Sequence, residues 1–175
     1  MRRNFIILAL SAFVFNGCAS VPAPTTPAKQ AAVKKSPRPE TESLKQEIDV
    51  SAAPEIVWPF LEKVEDWGSW CDKVTEVEPG AGMGPGAQIQ WQWEEKEVAS
   101  VILEVKENER FSFKSCASSP KAVLHWRLKA RAGGGTRVSL RAEVPYGTAS
   151  SIMDKLKIEM NEWVSALQTA LEASQ

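Results

Sequence analysis

Histidine is nearly missing from this sequence, with His125 its only representative. The three cysteines, Cys18, Cys71 and Cys116, stand at spacings unlike any zinc-binding pattern, so no metal and no cofactor is expected. Long apolar runs are missing too. The one candidate, Phe5 to Phe15, has eleven residues where a membrane-crossing helix needs roughly 20, so no segment is expected to span a bilayer. There is no lysine/arginine run either. From Leu44 onward 15 basic residues stand against 20 acidic ones, a net charge of −5, which argues against nucleic acid as a partner. The Gly-rich stretch EPGAGMGPGA, residues 78–87, lacks the lysine and the following helix of a phosphate-binding loop. It reads as a flexible turn.

The first eighteen residues have the three parts of an export signal: basic residues at Arg2 and Arg3, the short apolar run, and a small-residue end at Asn16-Gly17-Cys18. That end resembles a bacterial lipoprotein signal, in which Gly or Ala precedes the cysteine that is lipidated and becomes the first residue. Cys18 is therefore expected to carry the lipid. The resemblance also implies a destination: Ala19, rather than Asp, follows the cysteine, which favours the Gram-negative outer membrane with the protein facing the periplasm. An ordinary secretory signal, giving a soluble periplasmic or secreted protein, is the alternative. From Ala19 to Ser43 the chain is rich in alanine and threonine and holds Pro22, Pro24, Pro27, Pro37 and Pro39, with few large apolar groups. Such a segment cannot offset its own ordering entropy and is expected to be a disordered linker. At about 3.1 Å per residue it would reach on the order of 75 Å.

Residues 44–175 have the size of one domain with one core. A strand is expected over Leu44–Val50, and Pro54 opens a short helix, since proline is tolerated at the first helical position. Pro59 should bend or shorten it, and a brief helical turn follows over Asp66–Trp70. The apolar period then changes to two. Strands are expected over Val74–Val77, Gln88–Trp93, Val98–Val105, Arg110–Ser115, Ala122–Ala130 and Thr136–Val144. Finally Ile152, Leu156, Met160, Trp163, Leu167 and Leu171 make one apolar stripe on a helix over Ala149–Ala173. The fold class is α+β.

This order, strand, two short helices, six strands, long helix, resembles the START-like helix-grip superfamily (SRPBCC), the polyketide cyclase/dehydrase and lipid-transport family. The resemblance is carried by IDVSAAPEIVWPFLEKVEDWGSWCDKVTEVEPG and by LHWRLKARAGGGTRVSLRAEV, and covers residues 46–173. It implies a curved antiparallel sheet of about seven strands gripping the C-terminal helix, with a cavity between them that takes a lipid, sterol, polyketide or other apolar molecule. It also implies that the Gly-rich loop borders the cavity mouth, where Met83 and its glycines would act as a lid.

Alternation gives the residues expected to face that cavity: Ile89, Trp91, Trp93, Leu103, Phe111, Phe113, Trp126 and Leu140, with Met160 and Trp163 from the helix. The tryptophans either fill the cavity or line it, and alternation does not choose between the two. Trp58, Trp67 and Trp70 are assigned to packing of the short helices. His125, between Leu124 and Trp126, should point outward, and no inward-facing acid or base is identifiable, so a catalytic role is not favoured. Tyr146 and Cys116 are the only reactive side chains near the strand ends. Two cysteines left over in an oxidising compartment permit a Cys71–Cys116 disulfide without demanding one. Both lie, in the family topology, at the end of the sheet away from the Gly-rich loop. The leading expectation is a membrane-tethered protein that binds an apolar small molecule or lipid without catalysis. Its rivals are a cyclase, dehydratase or hydrolase using the same cavity, and an interaction module whose cavity is packed shut.

Overall fold

The computed structural model describes residues 41–80, 82–116 and 121–174, all within one compact unit, Pro37–Gln175. The expected signal, Cys18 and most of the linker lie outside the described residues. Seven strands, β1 (Thr41–Val50), β2 (Val74–Pro79), β3 (Gln88–Trp93), β4 (Lys96–Lys106), β5 (Arg110–Ser115), β6 (Val123–Ala130) and β7 (Thr136–Pro145), form one sheet in the order β1-β7-β6-β5-β4-β3-β2. Every neighbouring pair is antiparallel. Three helices complete the fold: α1 (Pro54–Glu62), α2 (Trp67–Trp70) and α3 (Ser150–Ala173), with a short 3-10 turn at Val64–Asp66. This is the helix-grip architecture, a sheet whose apolar side closes on the long last helix.

β1 begins at Thr41, three residues before the expected start, because it pairs with β7 along its whole length, from Thr41 opposite Pro145 to Val50 opposite Thr136. At the far end of that ladder Thr136 donates its hydroxyl to the Ala52 carbonyl at 2.7 Å. Gly135 sits there with φ +77°, and a side chain on it would run into the Val50 carbonyl. α1 opens with Pro54 and carries Pro59 inside it, ending after nine residues. Its buried Val57, Trp58 and Leu61 hold it against the sheet. On α3 the buried stripe is Leu156, Met160, Trp163, Val164, Leu167 and Leu171.

One expected inward residue is misplaced. Leu103 is 44% exposed, on the outside of the sheet. The β4–β5 register shifts between Ile102 and Glu104, and a bulge of one residue throws the alternation out of step on either side of it. Val98, Ser100 and Ile102 take the inward side of β4 instead.

Candidate ligand-binding cavity

The sheet has two ends. One carries the Gly-rich connection from β2 to β3; the other carries the β3–β4 turn, the end of β5 and the start of β6, as the antiparallel registers require. A cavity of about 500 Å³ opens at the second end, within the size range of small-molecule sites. Its apolar walls are Trp91 and Trp93 of β3, Val98 of β4, Ala122 and Leu124 at the start of β6, and Leu156, Met160 and Trp163 of α3. Trp93 and Trp163 stack at 5.6 Å with 22° between planes. Trp91 stands edge-on to Trp163 at 5.6 Å, and its Nε1–H donates to the buried Ser100 hydroxyl at 3.2 Å. That bond satisfies the ring's one polar atom and fixes the wall in place.

Of the residues expected to face the ligand, the structure brings Trp91, Trp93, Met160 and Trp163 to the cavity. Ile89, Phe111, Phe113, Trp126 and Leu140 are buried, all at 2% exposure or less, but none of them lines it. Phe111 and Phe113 pack against Trp67, which α2 drops into the sheet's interior, and Trp126 lies against Trp163 at 6.2 Å. Trp67 meets Trp163 at 5.1 Å, Phe113 at 5.6 Å, Trp91 at 5.9 Å and Phe111 at 6.2 Å. Its Nε1–H donates to the Leu61 carbonyl at 3.2 Å. The ring assigned above to helix packing is thus the plug of the core.

The cavity also has polar groups that alternation along the strands did not disclose: Lys96, Glu97, Ser115, Lys155 and Glu159. Glu159 lies one residue off the apolar stripe of α3, beside Met160, and forms an i,i+4 pair with Lys155 at 3.6 Å. Burial pushes its carboxyl above the ordinary value, against the pull of the Lys155 and Lys96 charges. Lys96 is held below its ordinary value, chiefly by the close approach of the Lys155 ammonium. The expectation of an interior without any acid or base is therefore corrected: one half-buried carboxyl borders the cavity. Its sequence signal was the Lys155–Glu159 spacing flanking Leu156 and Met160.

Three further expectations meet the geometry here. The Gly-rich loop is at the opposite end of the sheet from the cavity, and Met83 packs against the core, so it is no lid for this site. His125 faces outward, as alternation required, with Nδ1 at 3.0 Å from the Ser112 hydroxyl. No bridge joins Cys71 to Cys116: Cys71 is a buried free thiol, pushed up to about 11 chiefly by burial. β3 and β4 stand between β2, which Cys71 precedes, and β5, which Cys116 follows. Three steps of about 4.8 Å exceed the roughly 7 Å that a disulfide tolerates between Cα atoms. Among the described residues no group of His, Cys, Asp or Glu could hold a metal ion, and no helix is long and apolar enough to cross a membrane.

The fold is shared with solved structures of low sequence identity. Ara h 8.0201 is 13% identical, with a TM-score of 0.65 over 77% of this chain and 99% of that one. MLL2253 from Mesorhizobium loti is 16% identical, with a TM-score of 0.65 over 77% and 99%. The Aha1 dimer from Colwellia psychrerythraea is 15% identical, with a TM-score of 0.63 over 75% and 96%. In each, nearly the whole of the other chain is covered by this one fold. No curated protein matches. The family profile described as polyketide cyclase / dehydrase and lipid transport matches residues 41–173, the first residue of β1 to the last of α3, and the chain belongs to that family.

Proposed function

We propose that the protein holds an apolar small molecule, non-covalently, in the cavity between the β3–β6 end of the sheet and α3. The observation that carries this is the 500 Å³ space itself, walled by Trp91, Trp93, Leu124, Leu156, Met160 and Trp163. Apolar walls of this extent favour a ligand with a hydrophobic body, because burying unpartnered polar groups there would be penalised. The Trp93–Trp163 stack offers a flat face to a ring system or an acyl chain. The same reading includes a tether: Cys18, lipidated, would hold the domain in the cell envelope at the outer membrane, facing the periplasm, and the proline-rich linker would give it reach. This rests on the sequence of residues 1–43.

Native mass spectrometry of the purified protein, followed by identification of any co-purified molecule, tests the binding reading. A retained hydrophobic compound, lost when the cavity is filled by substitution, is the expected result. A protein that retains nothing, and that no sterol, fatty acid or aromatic polyketide stabilises against heat, would sink it.

Glu159 favours a second reading, cyclase- or dehydratase-type chemistry in the same space. A carboxyl whose burial raises its pKa holds its proton more tightly than an ordinary glutamate and can pass it to a substrate that comes within hydrogen-bond reach. Turnover of a bound compound that stops in Glu159→Gln, with binding intact, would establish it.

A further inference from the structure

The outer face of the sheet is electrostatically unlike the rest of the domain. A groove of about 800 Å³ crosses it from β4 to β1, and six cations line it: Lys45, Arg110, Arg127, Lys129, Arg137 and Arg141. Only three acids, Glu47, Glu104 and Glu143, line it with them. Asp49, at its border, is clamped between Arg137 at 2.8 Å and Arg131 at 3.6 Å and adds one charge of each sign. The face is thus at +3 in a domain at −5, and the remainder of the domain is at −8.

The pairing across strands sharpens this. Lys45 stands opposite Arg141, Arg110 opposite Arg127, and Lys129 opposite Arg137. Like charges directly opposed in a sheet are destabilising. Two of the acids stand opposite serines, Glu47 by Ser139 and Glu104 by Ser112, while Asp49 stands opposite Arg137. Some of the strain is met by neighbours, with Arg110 on Glu104 and Arg141 on Glu143, both at 3.2 Å. Arg127 and Lys129, in the middle of the face, make no ion pair within 4.0 Å among the described residues. Lys45 is likewise met by Glu47 at 2.9 Å, so an extended anionic surface would chiefly relieve the two pairs that contain Arg127 and Lys129.

We propose that this face docks the domain on an anionic phospholipid surface, with Arg127 and Lys129 meeting the headgroup phosphates. Two observations favour lipid over nucleic acid. First, β1 forms one border of the groove through Ser43, Lys45 and Glu47, and Lys34, Lys35 and Arg38 precede it closely in sequence with charge of the same sign. Second, the one tryptophan, tyrosine or phenylalanine in the groove's lining, Trp126, is 2% exposed with its ring turned inward against Trp163, so the face offers no aromatic ring on which bases could stack. The cavity, too, opens at the end of the sheet where β1 begins. The proposal does not depend on the cavity being occupied or on Cys18 being lipidated.

The test uses residues 37–175, which carry neither anchor nor most of the linker. Binding is read by co-sedimentation with vesicles of phosphatidylcholine, with and without phosphatidylglycerol. Binding is expected only with phosphatidylglycerol, and is expected to fall as salt rises. Arg127→Gln with Lys129→Gln should weaken it roughly 25-fold, at about fivefold per charge, and should melt no lower than wild type because two repulsive pairs are gone. Arg127→Gln alone should give about fivefold and serves if the double variant fails to fold. Lys63→Gln with Lys157→Gln, both off this face, should leave binding nearly unchanged. Equal binding to both vesicle types, or equal losses from the two double variants, would overturn the proposal. So would tighter binding to a single-stranded oligonucleotide than to the phosphatidylglycerol vesicles.

Discussion

Around Trp67 the interior of the sheet is closed, while beside Trp93 and Trp163 it stays open, and the strands supply aromatic and aliphatic side chains to both places. The difference comes from what the helices insert. α2, only four residues long, places a whole indole among Trp91, Phe111, Phe113 and Trp163. Among the described residues no side chain fills the space between Trp93, Leu124 and Met160. An alternating strand therefore makes a surface apolar, but whether that surface becomes core or site depends on residues from outside the sheet.

Trp67→Ala should have the largest effect. Removing a fully buried tryptophan loses its transfer free energy and leaves a cavity, about 3 to 5 kcal/mol in denaturant unfolding. Trp93→Ala, beside space already open, should cost less. Cys71 gives a second reading of the same change, since its buried thiol resists alkylation and its N–H bonds to the Trp67 carbonyl at 2.9 Å. Labelling should speed up when Trp67 is cut back. Equal costs for the two substitutions would erase the distinction between plug and wall.

Leu124→Trp probes the open side. A larger side chain there has room, so stability should change by less than about 1.5 kcal/mol, within the range of tolerated hydrophobic swaps. Binding of apolar compounds should fall at least about tenfold as the site fills. A penalty of about 3 kcal/mol, typical of an overpacked core, would mean the space is not available.

The smallest effect belongs to Glu159. Its carboxyl is raised by burial above the ordinary 4.5, so the native state holds that proton more tightly than the unfolded chain does. The group then adds stability below about pH 4.5 that is lost as pH rises through the folded value. Glu159→Gln should flatten that slope, melting above wild type near neutrality and level with it in acid. Lys155 and Lys96 oppose the burial effect, and partial exposure limits the gain. An unchanged pH–melting profile in the variant would place Glu159 in solvent rather than at the wall.

The elements themselves were legible in the sequence. Proline at the start of α1, the change of period at Val74 and the stripe from Leu156 to Leu171 are local signals, and each element was placed to within a few residues. Leu103 was not, because a bulge leaves no mark in an alternating run such as KEVASVILEVK. The site was half legible for a different reason. Trp91, Trp93, Met160 and Trp163 could be read from period alone, but Phe111 and Phe113 share that period and lie against Trp67 instead. Which of them meet open space is decided by a contact 44 residues away in the chain, Trp67 with Phe111, and periodicity carries no such information. Glu159 escaped because a helix residue beside the stripe reads as surface until a cavity wall stands opposite it.

Trp163 has one more property. Trp67, Trp70, Trp91, Trp93 and Trp126 all hold their ring centroids within 6.2 Å of it, so six of the protein's seven indoles share one cluster and only Trp58 stands apart. Rings this close pass excitation among themselves faster than they emit. Optically the cluster is a single antenna: light absorbed at the plug can be lost at the cavity wall, and a quencher resting on Trp93 darkens rings it never touches. The near-ultraviolet dichroism of the folded chain is likewise a property of coupled transitions rather than a sum over residues.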